Sequence, residues 1–258
     1  MVFKEEGLYC TSLGEMLTMS SLPNYHIQAK VIVYKDEASF KQNWKGKAET
    51  NVKEATFLEG ILLKSLIPGT NHYVDYSVFY AGVHEENRGS TNGGVINPLT
   101  KVLHIQNHSY STEITAGRKA QEGFYDEIQC ILRKGVRQLP RTPVSKDSVY
   151  ILIGFHSFEE TKTLEKRWKC WSGADCILWN CPTELNLRRV TFLKHTTDSD
   201  EFSYFCLGEC EEGLNYLNLA LDFMETLRLR HCGLVGLYKV ERYYIPPQRA
   251  QNLTKPPS

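Results

Sequence analysis

The longest unbroken apolar run of strand length is Val149-Tyr150-Ile151-Leu152-Ile153. A run without polar interruption is typical of a strand that is buried on both faces of a sheet. Further strand candidates follow at residues 175–180, 187–195 and 202–207. The second half of the chain is therefore predicted to contain a sheet with a fully buried strand.

The strongest helix pattern follows these strands, from Glu211 to Arg230. Acidic residues open it and arginines close it, as the helix dipole favours. Its apolar stripe is Leu214, Leu217, Leu221, Met224 and Leu227. Ser157 with Glu160 forms a capping-box pattern that predicts a second helix, and residues 234–245 predict a final strand.

The order of elements over residues 149–230 resembles that of PH- and PTB-like domains. Those domains close one end of an antiparallel sandwich with a long amphipathic helix. The resemblance rests on element order alone and includes no binding motif, so it implies a fold and no function.

The first half of the chain shows the two-residue period of strands. Residues 25–34 alternate apolar with polar positions, and 55–67 and 72–83 are two more strand candidates separated by a turn. Between the first two, Asp36 can cap a helix that places Phe40 and Trp44 on one face.

Other stretches of the first half are assigned by pattern as well. Ser12 with Glu15 predicts a short helix, and Gly117 to Lys134 reads as an amphipathic helix with Gly135 as its cap. A long loop over 84–98 and a strand over 101–109 are predicted between them.

These elements predict the α+β fold class, with mainly antiparallel sheets, a few amphipathic helices and a PH/PTB-like C-terminal half. Four parts are expected along the chain. They are an N-terminal α+β region (1–134), a basic Pro-containing linker (135–148), a C-terminal α+β region (149–245) and a disordered tail (246–258). No internal repeat is recognisable in the sequence.

Composition narrows the class of protein. The chain has 258 residues, 41% of them apolar, and thirty basic residues balance thirty acidic ones. This balance provides no overall field for nucleic acid, which is unsupported but not excluded. No signal peptide or membrane span is recognisable, so an intracellular location, cytoplasmic or nuclear, is expected, with the eight cysteines reduced.

The segment Arg137-Gln138-Leu139-Pro140-Arg141-Thr142-Pro143 resembles ligands of SH3 domains. Its two prolines favour a polyproline II helix, and the first arginine can meet an acidic patch. Arg137, Leu139, Pro140 and Pro143 are the predicted binding residues, and an SH3-type domain is the predicted partner. The alternative is an ordinary basic linker.

Cysteines and one histidine raise the question of a zinc site. Cys181, His195, Cys206 and Cys210 are the weak candidates, but only the last two cysteines approach the spacing of paired zinc ligands. Cys206 also lies in a strand pattern where thiols serve as small apolar side chains. No metal and no cofactor are therefore predicted.

Catalytic signatures are faint. His195-Thr196-Thr197 resembles one half of a two-histidine phosphoesterase motif whose second half is missing, and Gly7-Leu8-Tyr9 faintly resembles part of an ADP-ribosyltransferase fold. His104, His108 and His195 are the weak candidates for acid–base residues.

The sequence therefore favours a non-catalytic protein, an intracellular adaptor or regulatory module that binds other proteins. The alternative is an enzyme whose site is assembled from distant residues, such as a degenerate ADP-ribosyltransferase-like or phosphoesterase-like domain. A deep pocket with titratable side chains would favour the enzyme.

Overall fold

A computed structural model of the chain describes residues 9–10, 16–20, 26–34, 37–68, 71–82, 121–139, 141, 145–156, 165–196, 202–230 and 233–246. Strands dominate these ranges. They are β1 (Tyr9–Cys10), β2 (Met16–Ser20), β3 (His26–Tyr34), β4 (Phe57–Ser65), β5 (Tyr73–Gly82), β6 (Gln121–Arg133), β7 (Val149–Phe155), β8 (Leu187–His195), β9 (Tyr204–Cys210) and β10 (Leu234–Tyr244).

The described helices are α1 (Glu37–Lys53), α2 (Trp168–Trp171), α3 (Ala174–Asn180) and α4 (Leu217–Arg230), with a 3₁₀ turn at Thr183–Leu185. Helix α1 begins just after Asp36, and its Phe40 and Trp44 rings lie 5.7 Å apart on one face, as the spacing predicted. No helix in the described ranges is long and apolar enough to cross a membrane.

Strands β3 to β10 close into one antiparallel barrel. Their order around the ring is β6-β3-β5-β4-β10-β7-β9-β8, and β8 then pairs with β6 to complete it. The short strands β1 and β2 extend the sheet beside the end of β6. Closure leaves the eight ring strands with a neighbour on each side, so the barrel presents few free edges.

The barrel consists of two halves with the same internal order. In the first repeat, residues 26–133, the strands lie side by side in the order β6-β3-β5-β4. In chain order these are the fourth, first, third and second strands of the repeat. The second repeat, residues 149–244, has that same order, and β10 joins β4 while β8 joins β6 to connect the halves. The chain is thus a tandem structural repeat, although its sequence shows none.

Side chains alternate between the inside of the barrel and its outer faces. One apolar cluster collects residues from all eight ring strands and fills the barrel interior. A second cluster covers the outer face of the second repeat, under α2, α3 and α4. A small third cluster lies under α1 on the outer face of the first repeat, where Phe40 and Trp44 pack on it.

The predicted fold class is wrong. The described chain is mainly a closed eight-stranded barrel, and its C-terminal half is not a PH- or PTB-like sandwich, since β8 and β10 complete a sheet with the first half. Helix α4 packs on the outer face of this sheet and does not plug a sandwich. A periodic pattern indicates which residues form a strand but not which strand is its neighbour, and this explains the error.

Several element predictions also need correction. Residues 121–133 form strand β6 and not a helix, because this segment pairs with β3, β2 and β8. Residues 174–180 are helical and not a strand, and Met16–Ser20 is a strand and not the end of a helix. The predicted loop at 84–98, the strand at 101–109 and the tail beyond residue 246 lie outside the described residues.

Candidate functional site

The two repeats can be aligned through their strand ladders. Tyr34 and Phe155 end the first strand of each repeat, and each pairs with a tyrosine at the start of the third strand. Two residues after that tyrosine, the third strand carries Asp75 in the first repeat and Cys206 in the second. Both side chains are fully buried on an outer face of the barrel. A carboxyl group therefore occupies the position that a thiol fills in the other repeat.

At three neighbouring outward positions, the first repeat also carries a polar or charged residue where the second repeat carries an apolar residue or glycine. The pairs, first repeat before second, are Ser77 and Gly208, Lys30 and Ile151, and Glu122 and Val235. Burying polar and charged groups costs free energy that an apolar residue at the same place would not. The first repeat therefore maintains a polar group of side chains where the fold itself accepts apolar ones.

Asp75 is at the centre of this polar group. Its Oδ1 accepts hydrogen bonds from the Tyr244 hydroxyl at 2.9 Å and from Ser77 Oγ at 3.0 Å. The two hydroxyl oxygens lie 2.7 Å apart, and Asn51 Nδ2 donates to Ser77 Oγ at 3.2 Å. The second carboxyl oxygen of Asp75 is buried and has no hydrogen-bond partner among the described residues. One carboxyl oxygen is thus held by hydrogen bonds, and the other is buried without one.

The environment of Asp75 changes its acidity. Burial raises its pKa from 3.8 to about 6, although the hydrogen bonds from Tyr244 and Ser77 and the charge of Lys30 lower it in part. Burial also raises the pKa of the Tyr244 hydroxyl, and the charge of Asp75 raises it further. Asp75 can therefore gain or lose a proton near neutral pH while Tyr244 keeps its own.

A cleft of about 800 Å³ lies beside these residues, between α1 and strands β4 and β10. Its apolar lining is Phe40, Trp44, Ala48, Val52, Leu62 and the ring of Tyr244. The charged residues at the cleft are Lys41, Lys45, Glu49, Lys53, Glu241 and Arg242. This volume and the apolar part of the lining are typical of a small-molecule site.

Tyr244 connects the cleft to Asp75, because its ring lines the cleft while its hydroxyl binds the carboxyl group. The ring stacks on Phe57 at 5.4 Å and meets Trp44 edge-on at 6.1 Å. It also lies directly over Gly60, where a Cβ atom would approach the Tyr244 Cζ to 2.2 Å. Glycine at position 60 therefore allows the ring to reach its place.

A different polar network fills part of the barrel interior. Arg141 is fully buried, pairs with Glu127 and contacts the Tyr76 hydroxyl, and Gln138 Nε2 donates to Glu127 at 2.9 Å. Its members are enclosed and bound to one another, so this network holds the interior together and offers no open site.

A second buried ion pair lies nearby. Arg188 and Arg189 each lie 2.8 Å from Glu209, and the contact of Arg188 is a hydrogen bond. The charges of the two arginines offset part of the cost of burying Glu209.

The predicted SH3 ligand leads into this interior. Arg137 is exposed, whereas Leu139 is half-buried against the interior cluster and Arg141 is fully buried. Pro140 and Pro143 lie outside the described residues. The SH3 interaction itself stays a prediction.

Among the described residues, the predicted catalytic and metal candidates do not assemble into one site. His195 is half-buried and meets the Tyr125 ring edge-on at 4.8 Å, and His104 and His108 lie outside the described residues. The Sγ atoms of Cys181 and Cys210 lie 3.8 Å apart. Cys206 is buried in the outer layer of the second repeat, and no group of three or more potential ligands occurs in the described ranges.

Asp75 and Tyr244 were missed by the sequence reasoning. The alternation of residues 72–83 predicted a strand with Val74, Tyr76, Val78 and Tyr80 on one face, and the opposite face was given no role. The signal on that face is an acidic residue between tyrosine and phenylalanine side chains in a strand that is buried on both sides. It can be recognised only once the strand is known to be covered.

Residues 57–240 match the family described as Domain of unknown function (DUF7153). The chain belongs to this family. The matched region takes in most of both repeats of the DUF7153 chain and both third strands that carry Asp75 and Cys206. No curated protein matches the sequence.

Several solved structures are similar to this DUF7153 chain at low identity. An anthrone oxidase-like protein is 7% identical with a TM-score of 0.47, covering 89% of this chain and 97% of that one. A candidate monooxygenase from Lactobacillus acidophilus NCFM is 9% identical with a TM-score of 0.40, over 85% and 96%. A candidate chlorite dismutase is 11% identical with a TM-score of 0.43, over 84% and 95%. At these identities the likeness describes the barrel fold alone.

The prediction of a non-catalytic adaptor or regulatory module is wrong. The linear segment that motivated the adaptor leads into the barrel interior through Arg141, which is fully buried. The alternative, an enzyme whose site is assembled from distant residues, agrees better with the cleft that lies beside Asp75 and Tyr244.

Proposed function

We propose that this protein is an enzyme that binds a planar aromatic molecule in the cleft of the first repeat and transfers a proton through Asp75 and Tyr244. The observation that carries the proposal is the hydrogen bond of 2.9 Å between the buried Asp75 carboxyl and a tyrosine whose ring lines the cleft. A general base works best when its pKa is close to the ambient pH, and Asp75 has a pKa of about 6.

The lining of the cleft supports a planar aromatic ligand. Phe40, Trp44 and Tyr244 offer ring faces and edges within one wall, and offset or edge-on contacts with such rings favour flat molecules. The indole Nε1 of Trp44 is buried without a hydrogen-bond partner in the described part of the chain. A ligand oxygen at this nitrogen would satisfy it and fix the orientation of the ring.

The proposed chemistry uses two side chains of this chain. The Tyr244 hydroxyl accepts a proton from an enol or an acidic C–H group of the ligand as it gives its own proton to Asp75. Ser77 and Asn51 hold the Asp75 carboxyl and its hydroxyl partner in place. The reaction class is therefore removal of a proton from the carbon next to the carbonyl group of an aromatic ketone, or from the hydroxyl group of its enol.

The test measures exchange of the acidic protons of 2-tetralone, a bicyclic aromatic ketone, with deuterium from solvent by proton NMR. General acid–base catalysis contributes about 10²–10⁴-fold in rate, so Asp75→Asn should slow exchange at least 100-fold. In the wild type, the rate should fall about tenfold per pH unit below pH 6 and level off above pH 7 as Asp75 loses its proton.

A control variant separates chemistry from folding. Cys206→Ser changes the equivalent position of the second repeat and should leave exchange unchanged. Equal exchange rates for wild type and Asp75→Asn, or a rate that does not depend on pH between 5 and 7, would remove Asp75 from the proposal.

An intracellular location, cytoplasmic or nuclear, belongs to the proposal as well. Fluorescence microscopy of the tagged chain tests this point.

A further inference from the structure

The cleft has an unequal distribution of charge at its mouth. Lys41, Lys45, Lys53 and Arg242 stand against Glu49 and Glu241. Lys41 is already occupied by an ion pair with Glu37 at 3.0 Å, and both of these side chains are exposed. The surplus of positive charge therefore rests mainly on the other basic residues.

Arg242 has the most defined position among them. Its guanidinium carbon lies 5.8 Å from the centre of the Trp44 ring, so the arginine is stacked above a wall of the cleft. The structure shows no ion-pair partner for it among the described residues. It lies two residues before Tyr244 on β10, so both side chains point to the same face of the strand, roughly 7 Å apart along the backbone.

Asp75 and Arg242 make the two ends of the cleft differ in charge. A negative charge near the buried Asp75 would be repelled by the carboxylate, whereas a negative charge at the mouth would be attracted by Arg242. A guanidinium group also binds a carboxylate in a bidentate manner, which fixes the orientation of a ligand.

We propose that Arg242 selects an aromatic carboxylate, held with its ring against Trp44 and Tyr244 and its acidic group at the mouth of the cleft. This inference rests on the proposed function of the cleft. It names the charge of the ligand and the residue that recognises it.

The test compares 2-naphthoate with 2-naphthamide, which has the same rings and no charge, by calorimetry at low salt. Wild type should bind the naphthoate at least tenfold more tightly than the amide. Arg242→Gln should remove this preference without weakening the amide. Lys41→Gln, which removes a paired charge at the same mouth, should change the preference less than twofold.

The outcomes separate the two claims. Equal binding of both probes to the wild type, or an unchanged preference in Arg242→Gln, would overturn the role of Arg242 and leave the cleft in place. Failure of both probes to bind would instead contradict the proposed function.

A second inference rests on a separate pair of residues, Cys181 and Cys210. Cys181 directly follows α3 and is half-buried, while Cys210 ends β9 and is fully buried. Their sulfur atoms lie 3.8 Å apart, beyond bonding distance but in direct contact. The pair ties a helix end to the sheet beneath it.

We infer that this pair is a peroxide-sensitive site that closes to a disulfide. Hydrogen peroxide oxidises the accessible Cys181 thiol to sulfenic acid and releases one water. The Cys210 thiol then attacks that sulfur, forms the disulfide and releases a second water, so that peroxide takes up both electrons.

Intact and peptide mass spectrometry after peroxide treatment tests the site. We expect a loss of two hydrogen atoms per chain and a cross-linked peptide pair that holds Cys181 and Cys210, reversed by dithiothreitol. Cys181→Ser should abolish the cross-link, and Cys170→Ser, at an exposed cysteine, should not. Oxidation of Cys181 that stops at sulfinic acid, with no cross-link, would overturn the inference.

Discussion

The outer faces of the two repeats differ although the strands beneath them follow one plan. The second repeat buries its outer face in a continuous apolar cluster under three helices. The first repeat places Asp75, Ser77, Lys30 and Glu122 at equivalent positions and opens a cleft beside them. The difference indicates that the second repeat serves stability and that the first repeat keeps costly polar groups for function.

One aromatic position distinguishes the filled outer face of the second repeat from the face that carries the cleft. Phe192 of the second repeat occupies the position of Leu62 in the first, since they pair with Cys206 and Asp75 respectively. Phe192 stacks between Trp168 at 4.7 Å and Tyr204 at 5.3 Å. Leu62 is smaller and lines the cleft instead. The filled outer layer thus has the larger side chain at this position, and the face with the cleft has the smaller one.

The largest expected effect on stability comes from placing a carboxylate in the second repeat. Cys206→Asp would bury a carboxylate in the apolar layer without the hydroxyl partners that Asp75 has. An uncompensated buried charge costs about 3–5 kcal/mol, so the free energy of unfolding of this variant should fall by about that amount at pH 8. Urea denaturation followed by circular dichroism measures it. A stable Cys206→Asp protein would show that the two faces tolerate charge equally.

A smaller effect should follow from removing the charge in the first repeat. Because the folded chain holds the Asp75 proton up to about pH 6, stability falls as pH rises from 3.8 through 6 and then levels off. Asp75→Asn lacks this loss. The free energy of unfolding of the variant minus that of the wild type should therefore be about 3 kcal/mol larger at pH 8 than at pH 3. Urea denaturation of both proteins at several pH values measures it. A constant difference across this range would contradict the raised pKa.

The smallest effect on stability, within about 1.5 kcal/mol, is expected for Leu62→Phe, because the larger ring has the open cleft to enter. The same variant should weaken binding of 2-naphthoate at least tenfold by filling its place. The matched change Phe192→Leu should destabilise the second repeat by about 1–3 kcal/mol and create no new binding. Undiminished binding to Leu62→Phe would place the ligand elsewhere.

Much of the secondary structure follows from local patterns. The strands at 26–34, 187–195 and 234–244 and the helix that ends at Arg230 are confirmed where the periodicity predicted them. Strand β6 was misread because Phe124, Ile128 and Ile131 have a spacing that suits a helix, while its true pairing depends on strands distant in sequence. Local pattern therefore identified elements but could not predict barrel closure.

The candidate site was beyond sequence reasoning for a related reason. Phe40 and Trp44 were recognised as one face of a helix, and the cleft does lie along that face. Asp75 and Tyr244 are separated by more than half of the chain and meet only because β5 and β10 both flank β4. Histidines and cysteines attracted attention by residue type, whereas the raised pKa of Asp75 arises from its burial.

The most direct test of the account is the pKa of Asp75 itself, measured by carbon-13 NMR titration of labelled aspartate, with the Asp75→Asn spectrum identifying its signal. The account predicts a midpoint of about 6. A midpoint at or below about 4, the value of a solvated aspartate, would contradict it.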